Sequence, residues 1–190
     1  MTAHTPAKVP VLTSDTTFIA EPVHEETPRH LAYRFTMAAT RLALGWVFLW
    51  AFLDKAFGLG HETPSDGAWV NGGSPTEGFL ANAPTGPFAD FYKDIAGATW
   101  ADWMFMVGLA GIGIALVLGV AMRIAAVSGA LLLVMMWTAV LPPVNNPVID
   151  DHIVYALVLG VLALASANTT LGLGRVWERI PLVARFGFLK

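Results

Sequence analysis

The residues best suited to chemistry lie in one polar stretch, Leu141–His152, between two apolar segments that carry no charge. Carboxylates and an imidazole can transfer protons, and with carboxamides they can ligate a cation. The candidates are Asn145, Asn146, Asp150, Asp151 and His152. The prolines of this stretch stop one helix, and Asp150 or Asp151 can cap the next. We predict a capped, hydrated hairpin between two helices; a metal site is the alternative interpretation, and we expect none.

A second group of candidates lies in the first apolar segment. Asp54 and Lys55 come at its end, and Trp46 and Trp50 precede Asp54 at intervals of four residues. This spacing places both rings and the carboxylate on one helix face. Such a face fits a slot for a quinone ring; core packing with an anchor at the membrane interface is the alternative. Arg41 in the same segment either extends its side chain to the interface or pairs inside a bundle.

The elements that must position these residues are membrane helices. Of 190 residues, 55% are hydrophobic and 13% charged, and the charges concentrate in loops and tails. Apolar segments of about 18 to 20 residues are long enough to cross ~30 Å of hydrocarbon as helices. We predict an all-α, integral membrane, antiparallel four-helix bundle over residues 34–171, with close approach at small residues such as Gly111 and Gly129. The predicted spans are 35–57, 103–122, 124–141 and 151–168.

The remaining residues form a long loop and two tails. Residues 58–101 are predicted as a structured outer loop in which Ser74 and Glu77 mark the start of a short helix that ends before Pro84. Residues 1–33 are predicted as a polar tail and 172–190 as a basic tail. Of the 11 Lys and Arg residues, only Lys55 and Lys93 fall on the loop side. The positive-inside rule therefore predicts cytoplasmic termini in a plasma membrane, with the loop and the hairpin outside.

The composition also limits the cofactors and partners. The chain has no cysteine, which excludes thiolate chemistry and iron–sulfur clusters ligated by cysteine. The one histidine within the predicted spans is His152, at the very start of the fourth, so we expect no haem. No covalently bound cofactor is predicted, and quinone is the cofactor that the sequence leaves open. We expect the lipid bilayer and other membrane subunits as partners, and no nucleic acid.

Several motifs carry a resemblance to a known family. They are Arg41-x-x-Leu-Gly-Trp-x-Phe-Leu-Trp50, Asp54-Lys55, Gly72-Gly-Ser-Pro-Thr-x-Gly-Phe-Leu80, Leu141-Pro-Pro and Asn146-Pro-x-x-Asp-Asp-His-x-x-Tyr155. From about Ala32 to its end, the chain resembles the DoxX/DoxD family, in particular the DoxD-type subunit of bacterial thiosulfate:quinone oxidoreductase. The resemblance implies a four-helix membrane protein of the bacterial plasma membrane with a link to quinone redox chemistry.

Two functions follow as expectations. The first is a membrane subunit of a quinone-linked respiratory oxidoreductase, with thiosulfate:quinone oxidoreductase as the candidate. The second is a non-catalytic accessory or assembly subunit of a larger respiratory complex, because no redox centre is visible in the sequence. The catalytic candidates for the first are Asp54, Lys55, Asp150, Asp151 and His152. We also predict that Lys55 pairs with the carboxylate of Asp150 or Asp151; extension of its side chain to the headgroups is the alternative.

Overall fold

The fold is entirely helical in the part of the chain that the structure describes. The computed structural model describes residues 27–190, and these residues contain no β-strand, which confirms the predicted all-α class. The helices are α1 (Pro28–Phe57), α2 (Glu77–Asn82), α3 (Ala89–Asp94), α4 (Thr99–Leu118), α5 (Met122–Ala139), α6 (Asp151–Leu164), α7 (Gly174–Trp177) and α8 (Pro181–Arg185). Most of the predicted polar tail, residues 1–26, lies outside the described residues.

Helix α1 is longer than the predicted span and has clear signals at both ends. The Thr27 hydroxyl accepts a hydrogen bond from the N–H of His30 at 3.3 Å, and Pro28 occupies the first turn. The helix therefore begins before the predicted start at residue 35. It ends at Gly58, whose φ of 62° is the left-handed conformation that glycine adopts without strain.

Three helices are long and apolar enough to cross a membrane: α1, α4 and α5. Helix α6 is apolar but has only 14 residues, or ~21 Å at 1.5 Å per residue. The predicted fourth span reaches residue 168, whereas α6 ends at Leu164 and turns follow it. These findings make the chain a multi-pass membrane protein with three candidate spans.

One apolar core joins α1, α4, α5 and α6. Its buried members include Phe48, Ile112, Leu133 and Leu159, one from each helix. Glycines bring the helices together, since a Cβ on Gly113 would lie 2.8 Å from the backbone nitrogen of Leu49.

The predicted close approach of helices at Gly111 and Gly129 is only partly right. A Cβ on Gly129 would lie 2.7 Å from Leu159, so this predicted close approach is confirmed. Gly111 has no atom within 4 Å of a built Cβ, so its predicted contact is wrong. The closely packed glycine of α4 is Gly113, two residues further along the helix.

The loop between α1 and α4 is structured, but it covers residues 58–98 and not the predicted 58–101, because α4 begins at Thr99. Ser74 Oγ accepts from the N–H of Glu77 at 3.1 Å, and α2 ends at Asn82, before Pro84. A small apolar cluster of Leu80, Tyr92 and Ala139 packs the loop against the end of α5. The Tyr92 hydroxyl adds hydrogen-bond contacts at 3.0 Å with the carbonyl of Met135 and at 2.6 Å with the hydroxyl of Thr138. The loop is therefore a folded cover over one end of the helices.

The C-terminal segment contains the short helices α7 and α8 and returns to the beginning of α5. The backbone N–H of Arg123 donates to the carbonyl of Lys190 at 3.0 Å, and its guanidinium donates to the carbonyl of Gly187 at 2.8 Å. The Trp177 indole donates to the carbonyl of Leu189 at 2.6 Å. This segment, predicted as a basic tail, is therefore folded and held near the α4–α5 turn.

Candidate functional site: a loop-covered cavity

A cavity of about 860 Å³ lies between the 58–98 loop and the helices α4 and α5. Its wall on the loop side includes Phe79 and Tyr92, and its wall on the helix side includes Met104, Leu132 and Met135. It reaches from the loop as far as Ile112, about 18 Å along α4 from Trp100 at 1.5 Å per residue. A deep, mainly apolar cavity with few polar groups is the usual form of a small-molecule site.

Most polar side chains of the cavity come from helix ends and from the loop. We call five of them the polar end: Lys55, Glu62, Ser74, Thr76 and His152. Lys55 is in the last turn of α1, and His152 is in the first turn of α6. Two of the residues that the sequence singled out, Lys55 and His152, therefore line one cavity although about a hundred residues separate them along the chain.

Asp54, the candidate residue next to Lys55 at the end of α1, holds the loop. It is 3% exposed, and its carboxylate accepts from the backbone N–H groups of His61 at 3.2 Å, Glu62 at 3.0 Å and Thr63 at 2.9 Å. Several N–H groups converging on one carboxylate form strong, charge-assisted hydrogen bonds. Asp54 therefore positions the segment that carries Glu62, and it does not line the cavity itself.

Asp102, in the first turn of α4, holds the loop at a second point. It is 6% exposed, and its Oδ1 atom accepts from Ser74 Oγ at 2.8 Å, from Thr76 N at 3.1 Å and from Thr76 Oγ1 at 2.6 Å. Sequence reasoning missed this residue. The available signal was an acid in the first turn of an apolar helix, together with two hydroxyl residues that need a partner in the preceding loop.

His152 forms a pair with Asp150 at the edge of the cavity. Asp150 caps α6 by accepting from the N–H groups of His152 at 3.1 Å and Ile153 at 3.4 Å, which confirms the predicted cap. Its Oδ2 atom also lies 2.8 Å from His152 Nδ1, and Asp151 Oδ1 lies 3.6 Å from the same nitrogen. An imidazole whose Nδ1 is bonded to a carboxylate keeps Nε2 for a second partner.

The same three residues have the spacing of a metal site. One ligand atom from each of Asp150, Asp151 and His152 lies within 4.8 Å of the others. Capping accounts for this arrangement, because the Asp150 carboxylate already interacts with two backbone N–H groups and with the imidazole.

Lys55 does not make the predicted pair. Its Nζ atom lies 3.4 Å from Glu62 Oε2, and among residues 27–190 it forms no ion pair with Asp150 or Asp151. The prediction of a pair with the hairpin is wrong because the loop, which Asp54 holds in place, brings a nearer carboxylate to the ammonium group. Glu62 is largely exposed, so this pair is a weak one.

Trp46 and Trp50 do share a face of α1, with ring centroids 5.8 Å apart, and Trp50 also contacts the ring of His61 at 5.1 Å. Trp46 is 53% exposed, and neither tryptophan lines the cavity. The quinone slot predicted at this face stays a prediction, and the cavity offers a different place for the same ligand.

Arg41 is fully buried at 0% exposure, so the interpretation that it extends to the interface is wrong. Its guanidinium donates to the carbonyls of Leu116, Val117 and Leu171, the last at 2.8 Å. Two of these carbonyls belong to the end of α4, where the helix dipole favours a cation. Arg41 ties α1 to the turns at the end opposite the loop, about 21 Å along α1 from Lys55 at 1.5 Å per residue.

Together these observations define an all-helical, multi-pass membrane protein with a folded loop over a mainly apolar cavity. Residues 36–142 match the family model described as DoxX, and the chain therefore belongs to the DoxX family, as the resemblance implied at the level of the family. The matched residues run from within α1 to just after α5, include the loop, and exclude His152. Neither the curated proteins nor the solved structures contain a match to this chain.

Proposed function

We propose that this protein is the membrane subunit of a quinone-linked respiratory oxidoreductase and that a quinone binds in the loop-covered cavity. The observation that carries the proposal is the cavity of about 860 Å³, which is apolar along α4 and α5 and has an imidazole and an ammonium group at its polar end. A quinone has the complementary form: its ring carries two carbonyl oxygens that accept hydrogen bonds, and its tail is apolar. The volume lies within the ~300–1,000 Å³ of small-molecule sites.

His152 is the proposed partner of one quinone oxygen. Asp150 Oδ2 lies 2.8 Å from Nδ1 of the imidazole and accepts the Nδ1 proton. Nε2 then faces the ligand: with a proton it donates to a quinone oxygen, and without one it accepts from the hydroxyl of the reduced quinone. Asp151 is largely exposed, and its Oδ1 atom lies 3.6 Å from Nδ1. It therefore connects the His152–Asp150 pair to water, which supplies the protons for quinone reduction. Lys55 supplies a second donor at the same end.

The proposal includes an arrangement in the membrane. Helices α1, α4, α5 and α6 form an antiparallel four-helix bundle across a bacterial plasma membrane, with the loop outside and both termini in the cytoplasm. The shared apolar core and the distribution of basic residues support this arrangement. Helix α6, with 14 residues, crosses where the bilayer is locally thinned.

The electron donor in this proposal is a reduced sulfur compound such as thiosulfate, bound by a partner subunit. The loop side carries many carboxylates and only Lys55 and Lys93 as bases, so a dianion needs a basic surface from elsewhere. A second candidate function, an accessory subunit that only binds and stabilises a respiratory complex, is favoured by the absence of cysteine, which removes the thiol from the side chains available for redox chemistry.

The test uses the protein purified from native membranes in mild detergent. The proposal predicts extractable quinone in the preparation, a copurifying soluble-domain partner, and thiosulfate-dependent reduction of added quinone by the complex. His152→Asn should lower that reduction, and His61→Asn, a matched change at an exposed histidine outside the cavity, should leave it unchanged. Respiratory subunits in the preparation without bound quinone would contradict the proposal and support the accessory function.

A further inference from the structure

The cavity has an opening toward the side of the molecule, between α4 and α5. Three lining residues on these candidate spans are more than half exposed: Trp100 at 54%, Met104 at 66% and Leu131 at 61%. The exposed face of a helix that crosses a membrane contacts lipid tails and not water. The rim of the cavity on this side is therefore in the hydrocarbon layer.

Gly108 of α4 forms the gap in this rim. A Cβ at this position would meet only the tip of Leu132, at 3.9 Å, so the space beside it is open. Ser128 faces the gap from α5, and its hydroxyl already donates to the carbonyl of Ile124 at 2.7 Å. The crevice between the two helices is therefore apolar although it contains a serine.

The loop covers the polar end of the cavity. Asp54 and Asp102 each hold this loop through three hydrogen bonds. A ligand that arrives from water must displace a segment fixed at both points, whereas a ligand that arrives between α4 and α5 meets no such obstacle.

We infer that the ligand enters sideways from the bilayer and that the polyprenyl tail of a quinone lies in the crevice beside Gly108, Ser128 and Leu132 while its ring reaches the polar end. The inference rests on the proposed function and specifies the ligand as a long-chain, membrane-dissolved quinone. A volume of about 860 Å³ holds the ring and the first part of such a tail. The rest of the tail must leave the protein, and the crevice is an apolar passage that leads into lipid.

Two variants on the same helix test the passage. Gly108→Leu fills the gap, and the matched Gly111→Leu adds the same side chain at a glycine that has no neighbour within 4 Å and does not line the cavity. Both variants replace a glycine inside α4 by leucine, which has the higher helix propensity, so neither is expected to disrupt the helix. Binding of a long polyprenyl quinone and of the same quinone without a tail is measured by quenching of tryptophan fluorescence in detergent.

The inference predicts that Gly108→Leu weakens binding of the long-chain quinone by about tenfold or more and leaves the tail-less quinone within about twofold, with Gly111→Leu close to wild type for both. Equal weakening of both quinones by Gly108→Leu would overturn it, since the substitution would then act on the ring site. Unchanged binding of the long-chain quinone would also overturn it.

A labelling experiment separates the occupant of the crevice from the proposed redox role. A photoactivatable polyprenyl quinone and a phosphatidylcholine with a photoactivatable acyl chain are each reconstituted with the protein, and labelled peptides are mapped. The inference predicts quinone labelling of the peptides around Gly108 and Leu131, suppressed by unlabelled long-chain quinone. Labelling there by the phospholipid alone would overturn it. Quinone labelling without any thiosulfate-dependent reduction would leave the inference standing and remove the proposed function.

Discussion

The two buried carboxylates that hold the loop differ in a way that substitution by asparagine reveals. All three bonds to Asp102 end on one oxygen, Oδ1, so an asparagine whose oxygen takes that position keeps every acceptor. Asp54 uses both oxygens: Oδ1 accepts from His61 and Oδ2 accepts from Glu62 and Thr63. An asparagine there must direct an NH₂ group at a backbone N–H.

These geometries set the size of the effects. Asp102→Asn loses charge assistance but no acceptor, which costs about 1–2 kcal/mol of unfolding free energy. Asp54→Asn loses at least one hydrogen bond and places its NH₂ group against a backbone N–H in a buried site, which costs about 2–4 kcal/mol. Asp102→Ala leaves the donors of Ser74 and Thr76 without the acceptor and costs about 3–6 kcal/mol. The exposed Asp94→Asn, the matched control, should change stability by less than about 0.5 kcal/mol.

The assay is thermal unfolding in detergent combined with trypsin digestion. Lys93 is the one Lys or Arg between residues 58 and 98, so cleavage there reports release of the loop. Cleavage should be fastest in Asp102→Ala, slower in Asp54→Asn and slowest in Asp102→Asn. Equal stability losses in the two asparagine variants would refute the assignment of the bonds to particular oxygens.

Three further predictions follow from the same structure. Arg41→Lys should lower unfolding free energy by about 2–4 kcal/mol, because one ammonium cannot reach carbonyls from two separate turns; thermal unfolding in detergent checks it. A double-mutant cycle of Lys55→Met with Asp150→Asn should give additive losses in thermal stability, and coupling above about 0.5 kcal/mol would restore the predicted pair. A cysteine at Ser65 should react with an impermeant thiol reagent in whole cells and one at Lys190 should not; the reverse pattern would invert the proposed orientation.

The sequence predicted what depends on neighbours along the chain. The cap at Asp150, the short helix that starts after Ser74, and the end of α1 near Asp54 follow from local spacing and from proline and glycine. The DoxX family also followed from motifs that lie in short, contiguous blocks.

The sequence did not predict what depends on contacts between distant segments. Arg41 binds carbonyls 75 to 130 residues away, and Asp102 binds a loop 26 to 28 residues before it. All faces of an apolar membrane helix look alike in sequence, so the periodicity that reveals a buried face in water is absent. The cavity is missed for the same reason, since nothing in the sequence separates Gly108, which lies beside Leu132, from Gly111, which has no neighbour within 4 Å.

The central claim is that a quinone binds in the cavity and not at the tryptophan face of α1. The most direct measurement is a titration of long-chain quinone into the purified protein, with wild type, His152→Asn and Trp50→Leu compared by isothermal calorimetry. The account predicts saturable binding to wild type, a dissociation constant about tenfold weaker or more for His152→Asn, and an unchanged constant for Trp50→Leu. Weakened binding in Trp50→Leu together with wild-type binding in His152→Asn would contradict it and place the quinone on the outer face of α1.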